Sequence, residues 1–539
     1  MGTASIDGGE DLRTRPAAAG PATGRRRAPR AVLPAAGITL VAAAGALIAV
    51  GCFLGLYVRP TSDDWCAGWK SRDLGVLGIT SDFYATQNGR ITNAFLSGVL
   101  YGDYGGHAAV PAGIKILPAV IAVTFTAGLV LLGRAFVRLL GARPRLLLLV
   151  ACALVVQALL YFGGTRSYQV LLWAPATISH TIPSVIGVWA LLLGLWTVRH
   201  PRPAVRTVGF AATFLIGFAL GTLSEPFAFV SGLLAAAAGL LALPRLGLAR
   251  NWRPSTWCAL WCAGLVCGLA VLITSPGARW RRAQEPPGES LLSADGFRGT
   301  FEGWLHMWDT VTGQWAYLGA AAVGVLLGLS LGMGVGVGPG VGGTTARGPG
   351  AGPGQDTGPP GPRRSVPRPL LITVLLLPVP VVLLGSFAVV LGLRSGYGPN
   401  GWTYARTWTS YLVLMELALC GYGVLLGAWG SRYAAARGRR ACAPVLGAAA
   451  TAGCLALVSV AALVPNVQAL TTATVTRAVA WDAQNARIRA EAARGATDVG
   501  YRRLPIGNLA EPFYTSSYAR DWVAACVSKW YGITRIHRR

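Results

Sequence analysis

Residues 59–90 read RPTSDDWCAGWKSRDLGVLGITSDFYATQNGR, and they follow directly on an apolar run from about Ala31 to Val58. That run is long enough to cross a bilayer. It exceeds a signal peptide in length and lacks a small-x-small cleavage site before Asp63. The adjacent carboxylates of Asp63 and Asp64 therefore stand within a few residues of hydrocarbon. A carboxylate pair at a membrane surface is costly unless a metal, an arginine or a transferable proton meets it. The two acids are read as the chemical centre of a polytopic membrane enzyme, with the spans as the scaffold that brings a lipid-linked substrate to them.

Composition agrees with that reading. The chain has 539 residues, 53% of them hydrophobic and only 13% charged, with a mean hydropathy of +0.50. A soluble domain of this length would need far more polar surface. The formal charge of +26 is almost all arginine, since lysine occurs only at 70, 115 and 529. These cations fall in short loops between apolar runs, which is the positive-inside pattern and not a nucleic-acid footprint.

After the first span, apolar runs recur at about 110–133, 146–162, 182–198, 207–223, 225–243, 256–274, 316–337, 370–393, 409–430 and 445–465. The fold class expected is an all-α polytopic membrane protein of about eleven transmembrane helices. Segments 134–145, 199–206, 244–253 and 431–440 are arginine-rich and acid-free, while the intervening loops hold nearly every Asp and Glu. This segregation predicts a cytoplasmic N-terminus and an external C-terminus. The parts are a disordered cytoplasmic tail (1–30), an N-terminal bundle (31–331) with a first external loop (59–109), a Gly/Pro-rich cytoplasmic linker (332–369), further membrane helices (370–465) and a small external domain (466–539). The last part is too short to hold much of a core alone; a helix is expected there over about 472–494.

Several external groups could do chemistry. Over 82–100, Tyr84, Ile91, Phe95 and Val99 share one helical arc, and Thr86, Arg90, Asn93 and Ser97 share the other. This predicts an interfacial helix, capped by Ser81 or Asp82, that holds Arg90 over the acid pair. A purely structural, snorkelling arginine is the plain alternative. Phe297, Phe301, Trp304 and Trp308 repeat the device against Arg298, Glu302, His306 and Asp309. Arg166, Tyr168 and His180 share a loop, where a lone histidine is more often structural than a ligand. Glu225 occupies a turn with almost no loop, and so faces a polar cavity. Arg279, Arg281 and Arg282 are basic on the outer side, against the charge bias, which points to an anionic ligand such as a lipid phosphate. Arg394 and Arg406, with Tyr397, Trp402 and Tyr404 between them, form a weaker cluster of the same kind. Glu416 is the one acid expected at hydrocarbon depth, as a functional group or as half of an interhelical pair.

Eight of the ten cysteines lie in or beside apolar runs and read as small buried residues. Cys66 and Cys526 are the two left outside, and a disulfide between them is expected to pin the tail over the first loop.

The stretches TSDDWCAGW (61–69), FYATQNGR (83–90), the Ser224-Glu225-Pro226 turn, SPGARWRR (275–282), WDAQNARIRA (481–490) and KWYGI (529–533) resemble a bacterial, actinobacterial-type family of multispanning membrane proteins of unassigned function. That family is grouped with the GT-C glycosyltransferases, to which the chain is more remotely similar. The resemblance covers most of the chain apart from the N-terminal tail and the Gly/Pro linker. It implies a GT-C-like fold in which a first-loop Asp is catalytic base or metal ligand, a role falling on Asp63 or Asp64. It also implies a polyprenyl-phosphate-linked donor, a glycan or envelope acceptor and, where the pair holds a metal, a divalent cation such as Mg or Mn. Arg90, Arg166, His180, Glu225, Arg279, Arg281, Arg282, Tyr404 and Arg406 are then the substrate-binding candidates. Two other readings stand beside it: a transporter or flippase using Glu416 and the arginine cluster, and a non-catalytic membrane assembly protein.

Overall fold

The computed structural model describes residues 28–102, 110–143, 145–246, 249, 251–284, 293–333, 375–437, 442–506, 511, 515 and 517–539. The tail 1–27 and nearly all of the Gly/Pro linker lie outside the described residues.

The chain is an all-α polytopic membrane protein. Helix α1 (Ala28–Leu54) leads into α2 (Asp63–Thr86) and α3 (Ile91–Tyr101), which pack on each other as a hairpin. Next come α4 (Ala112–Leu139), α5 (Leu146–Phe162), the three-residue α6 (Ala174–Ala176) between two wide turns, and α7 (Ile182–Arg199). Then α8 (Pro203–Gly221), α9 (Glu225–Leu241) and α10 (Arg253–Thr274) precede the short basic α11 (Pro276–Gln284). The amphipathic α12 (Ala294–Gly313) meets α13 (Leu318–Met333) at a bend of 65°. The chain then continues through α14 (Pro378–Tyr397), α15 (Thr409–Ala436), α16 (Cys442–Ala461), α17 (Val464–Ala493) and α18 (Trp522–Tyr531).

Among the described residues, eight helices are long and apolar enough to cross a membrane, or up to nine if the bent pair α12–α13 counts as one span. The expected eleven include α5 and α9, which have only 17 residues each. At 1.5 Å per residue each is about 26 Å long, short of a hydrocarbon core of about 30 Å. Helix α5 is apolar all round because it is an inner helix, buried along most of its length against α1, α4, α13 and α15. Outward-facing Val123, Val208, Leu215, Phe229, Val266 and Trp429 stay exposed, as lipid-facing positions must.

The tightest crossing is α13 on α15. A Cβ at Gly324, Gly328, Gly423 or Gly427 would strike the backbone of the facing helix, so the small residues let the two backbones touch.

The expected helix over 82–100 is two helices. Gly89 adopts φ 74°, and a Cβ there would collide with Ser275 and the Leu272 carbonyl at the α10–α11 junction. The chain therefore turns at 87–90, and the polar face of α3 turns inward. Asn93 and Ser97 are buried while Phe95 and Val99 are exposed. Helix α17 begins at Val464, eight residues before the expected start, with Pro465 in its first turn, where a missing N–H costs nothing.

The C-terminal segment adds two short parallel strands, β1 (Asp498–Tyr501) and β2 (Arg535–Arg538). Its core is built round Trp65 of α2, fully buried among Trp481, Tyr501, Trp530 and Tyr531 with ring centroids 5.7–6.3 Å away. Cys66, the next residue, forms the expected disulfide with Cys526 of α18, Cα atoms 4.9 Å apart.

Candidate functional site

The site is built on the turn that joins α1 to α2. Arg477 of α17 is buried and donates to the Arg59 carbonyl (3.0 Å) and the Pro60 carbonyl (2.8 Å). Arg59 itself pairs with Asp482 of the same helix at 2.7 Å. Gripped in this way, the chain passes through Ser62 at φ 50°, the only non-glycine residue with positive φ among the described residues. Strain of this kind persists only where the surroundings over-determine it. Helix α2 then starts with both acids in its first turn, where the helix dipole favours negative charge.

The two acids have different neighbours. Asp64 is buried, accepts from the Tyr101 hydroxyl of α3 and takes the Thr61 amide at 2.9 Å. Burial pushes its carboxyl up to about 7, against the pull of those two donors. Asp63 keeps part of its surface open and makes no hydrogen bond to a described residue. Burial raises its carboxyl too, and the guanidinium groups of Arg406, Arg281 and Arg90 oppose that rise without cancelling it. Asp64 is thus fixed in the scaffold, and Asp63 is the available carboxylate.

Arg90, at the start of α3, donates to both oxygens of Glu225 at 2.9 and 3.0 Å. Glu225 begins α9, with Ser224 as its N-cap accepting from the Phe227 amide. Of the three clustered arginines on α11, Arg281 bears on Asp63. Arg282 donates to the Ile273 carbonyl at 2.8 Å, and Arg279 is exposed with no contact that ties it to the acid pair.

The third wall comes from residues 166–180 and 397–408. The Arg406 guanidinium lies over the rings of Trp173 (5.2 Å) and Tyr404 (5.1 Å) and donates to Gln169 Oε1 at 3.3 Å. Its neighbour Tyr404 stacks on Tyr397 at 4.3 Å. Arg166 and Tyr404 help to line a cavity of about 310 Å³ beside this stack. His180 is buried, its Nδ1 without a hydrogen-bond partner among the described residues, and Arg406 and Arg90 are its charged neighbours. Arg394 instead packs against Gly299 of α12.

The fold therefore brings Asp63, Arg90, Glu225, His180, Arg281, Arg406 and Tyr404 into one neighbourhood. Gln169, Trp173, Tyr101 and Arg477 are residues that sequence reasoning passed over. Of these, only Arg477 carried a local signal, as a basic residue in the middle of an otherwise neutral stretch. Glu416 lies elsewhere, buried in α15, with neither carboxylate oxygen hydrogen-bonded to a described residue and no arginine acting on it.

A divalent cation does not suit this donor set. Both Asp64 oxygens are engaged, and among the described residues no group of three or more His, Cys, Asp or Glu side chains converges. Comparison of the chain with protein-family models and with curated proteins returns no match.

Proposed function

We propose that the chain is a GT-C-like glycosyltransferase that moves a sugar from a polyprenyl-phosphate-type donor to a glycan or envelope acceptor. The observation that carries this reading is the Asp63 carboxylate, partly open, without a hydrogen bond to a described residue and within electrostatic reach of Arg406, Arg281 and Arg90 beside a bundle of apolar helices. We place this end of the bundle on the extracytoplasmic face. The arginine-rich, acid-free segments would then be cytoplasmic, and the Cys66–Cys526 disulfide would sit in an oxidising compartment.

In the transfer, the acceptor oxygen forms a bond to the anomeric carbon as the bond from that carbon to the phosphate oxygen breaks. The bonding pair leaves with the lipid phosphate, and Asp63 takes the hydroxyl proton. Burial makes Asp63 a stronger base than a free carboxylate, which is what a general base needs, and the three arginines act against that rise. The same guanidinium groups meet the charge that develops on the departing phosphate, the larger electrostatic contribution. Attack opposite the leaving group inverts the anomeric centre.

The test is transfer from a polyprenyl-phosphate sugar by D63N and D64N. D63N is expected to lose about 10²–10⁴-fold in rate, and D64N less, because Asp64 acts through the scaffold. Full activity in both variants ends the proposal. A transporter is the second reading, favoured by the unpaired carboxylate of Glu416. Loss of lipid counterflow in E416Q vesicles, with D63N unaffected, would select it.

A further inference from the structure

We propose that the cavity beside Arg406 is a glycosyl subsite that accepts a neutral or uronic sugar ring and rejects one bearing a free ammonium. The inference rests on the transferase reading and names the substrate class of the same site. The cavity, about 310 Å³, is lined among the described residues by Arg166, Gln169, Tyr397, Asn400, Thr403 and Tyr404. That volume is at the small end of ligand pockets, suited to a sugar ring and too small for a polyprenyl chain. Gln169, Asn400 and Thr403 each supply donor and acceptor atoms, the pairing that ring hydroxyls need. Tyr397, exposed and stacked on Tyr404 by one face only, supplies the apolar ring surface for the C–H face of a sugar. No acid lines the cavity among the described residues, so an ammonium there would find no counter-charge and would face Arg166.

The subsite is joined to the reacting acid through one residue. Gln169 accepts from Arg406, and Arg406 is the first charge acting on Asp63. Arg406 thus links the ring-binding residues to the base.

The experiment is saturation-transfer NMR on the full chain in nanodiscs. Probes are the methyl glycosides of glucose, galactose, mannose and arabinose, methyl glucuronide and methyl glucosaminide. Ring-proton transfer is expected from at least one neutral glycoside or the glucuronide, and not from the glucosaminide. Binding should weaken up to about tenfold in N400A, Q169A and the near-isosteric T403V, as loss of a hydrogen bond predicts. Absence of signal from every glycoside, or signal that survives in all three cavity variants, overturns the subsite. Preferential binding of the glucosaminide overturns its specificity. If glycosides bind as expected but D63N transfers sugar normally, the transferase reading fails and the subsite stands. If D63N is inactive while the cavity variants bind normally, the reverse holds.

Discussion

Arg90 and Glu225, 135 residues apart in the chain, meet through a single guanidinium nitrogen that reaches both carboxylate oxygens at 2.9 and 3.0 Å. The pair sits beside Asp63, whose carboxyl Arg90 helps to hold down. Arg90 acts on the proposed base directly, and Glu225 acts by offsetting the Arg90 charge.

That opposition gives a test of sign. In R90Q the lost cation and the unpaired Glu225 both raise the Asp63 carboxyl, so the acid limb of the pH–rate profile is expected to move up by up to about one unit. In E225Q the released Arg90 charge moves the limb down. A purely structural pair would lower rates in both variants without shifting the limb in opposite directions.

Asp64 gives a dependence of stability on pH. Folding raises its carboxyl from 3.8 to about 7, so between those values the folded state binds more protons than the unfolded chain. The stabilisation is full below about pH 4, is lost as pH rises through the window and levels off above about pH 7. The shift corresponds to on the order of 4 kcal/mol. D64N has no such proton to lose, so the Tm of the wild type is expected to fall relative to D64N from about pH 4.5 to about pH 7.5. Parallel Tm profiles, followed by intrinsic fluorescence in detergent, would remove the assignment.

The turn before α2 gives a prediction on stability. Ser62 is buried at φ 50° with an unpartnered hydroxyl, so S62G is expected to stabilise the fold by about 1 kcal/mol. R477A should cost about 3–5 kcal/mol, because it releases two carbonyls and leaves the buried Glu511, 3.6 Å away, without its cation. R477A should also slow transfer by letting Asp63 move, although Arg477 touches no substrate. Chemical denaturation of the two variants measures both effects, and equal stability of R477A and wild type would refute the role.

The disulfide predicts a local effect. C526S is expected to cost about 2–4 kcal/mol and to raise hydrogen exchange in α18 and β2 while leaving α5 and α13 protected. Peptide mapping without reductant should recover Cys66 joined to Cys526. Recovery of both as free thiols would contradict the link.

The helix crossing predicts a global one. G328V places a side chain against the Val424 carbonyl of α15, and the two backbones cannot separate without opening the bundle. Loss of the folded, monodisperse protein is expected, whereas G421V, whose Cβ meets open space, should be tolerated.

The sequence by itself determined the membrane class, the approximate positions of the helices and the pairing of Cys66 with Cys526. Each of these depends on local composition or on elimination: a run of apolar residues must leave water wherever it sits, and two thiols remained after the spans were drawn. It also marked Asp63 and Asp64 as unusual, because adjacent carboxylates beside a span are costly in any fold. Only the tertiary structure decided which of the two is available. Successive residues on a helix point about 100° apart, so one carboxylate met α3 and the other met arginines from α3, α11 and the 397–408 segment. The break at Gly89 was equally beyond local reading, because what forbids a side chain there is Ser275, nearly two hundred residues away. Periodicity describes one helix at a time, and the neighbours that assign a role to each face arrive from elsewhere in the chain.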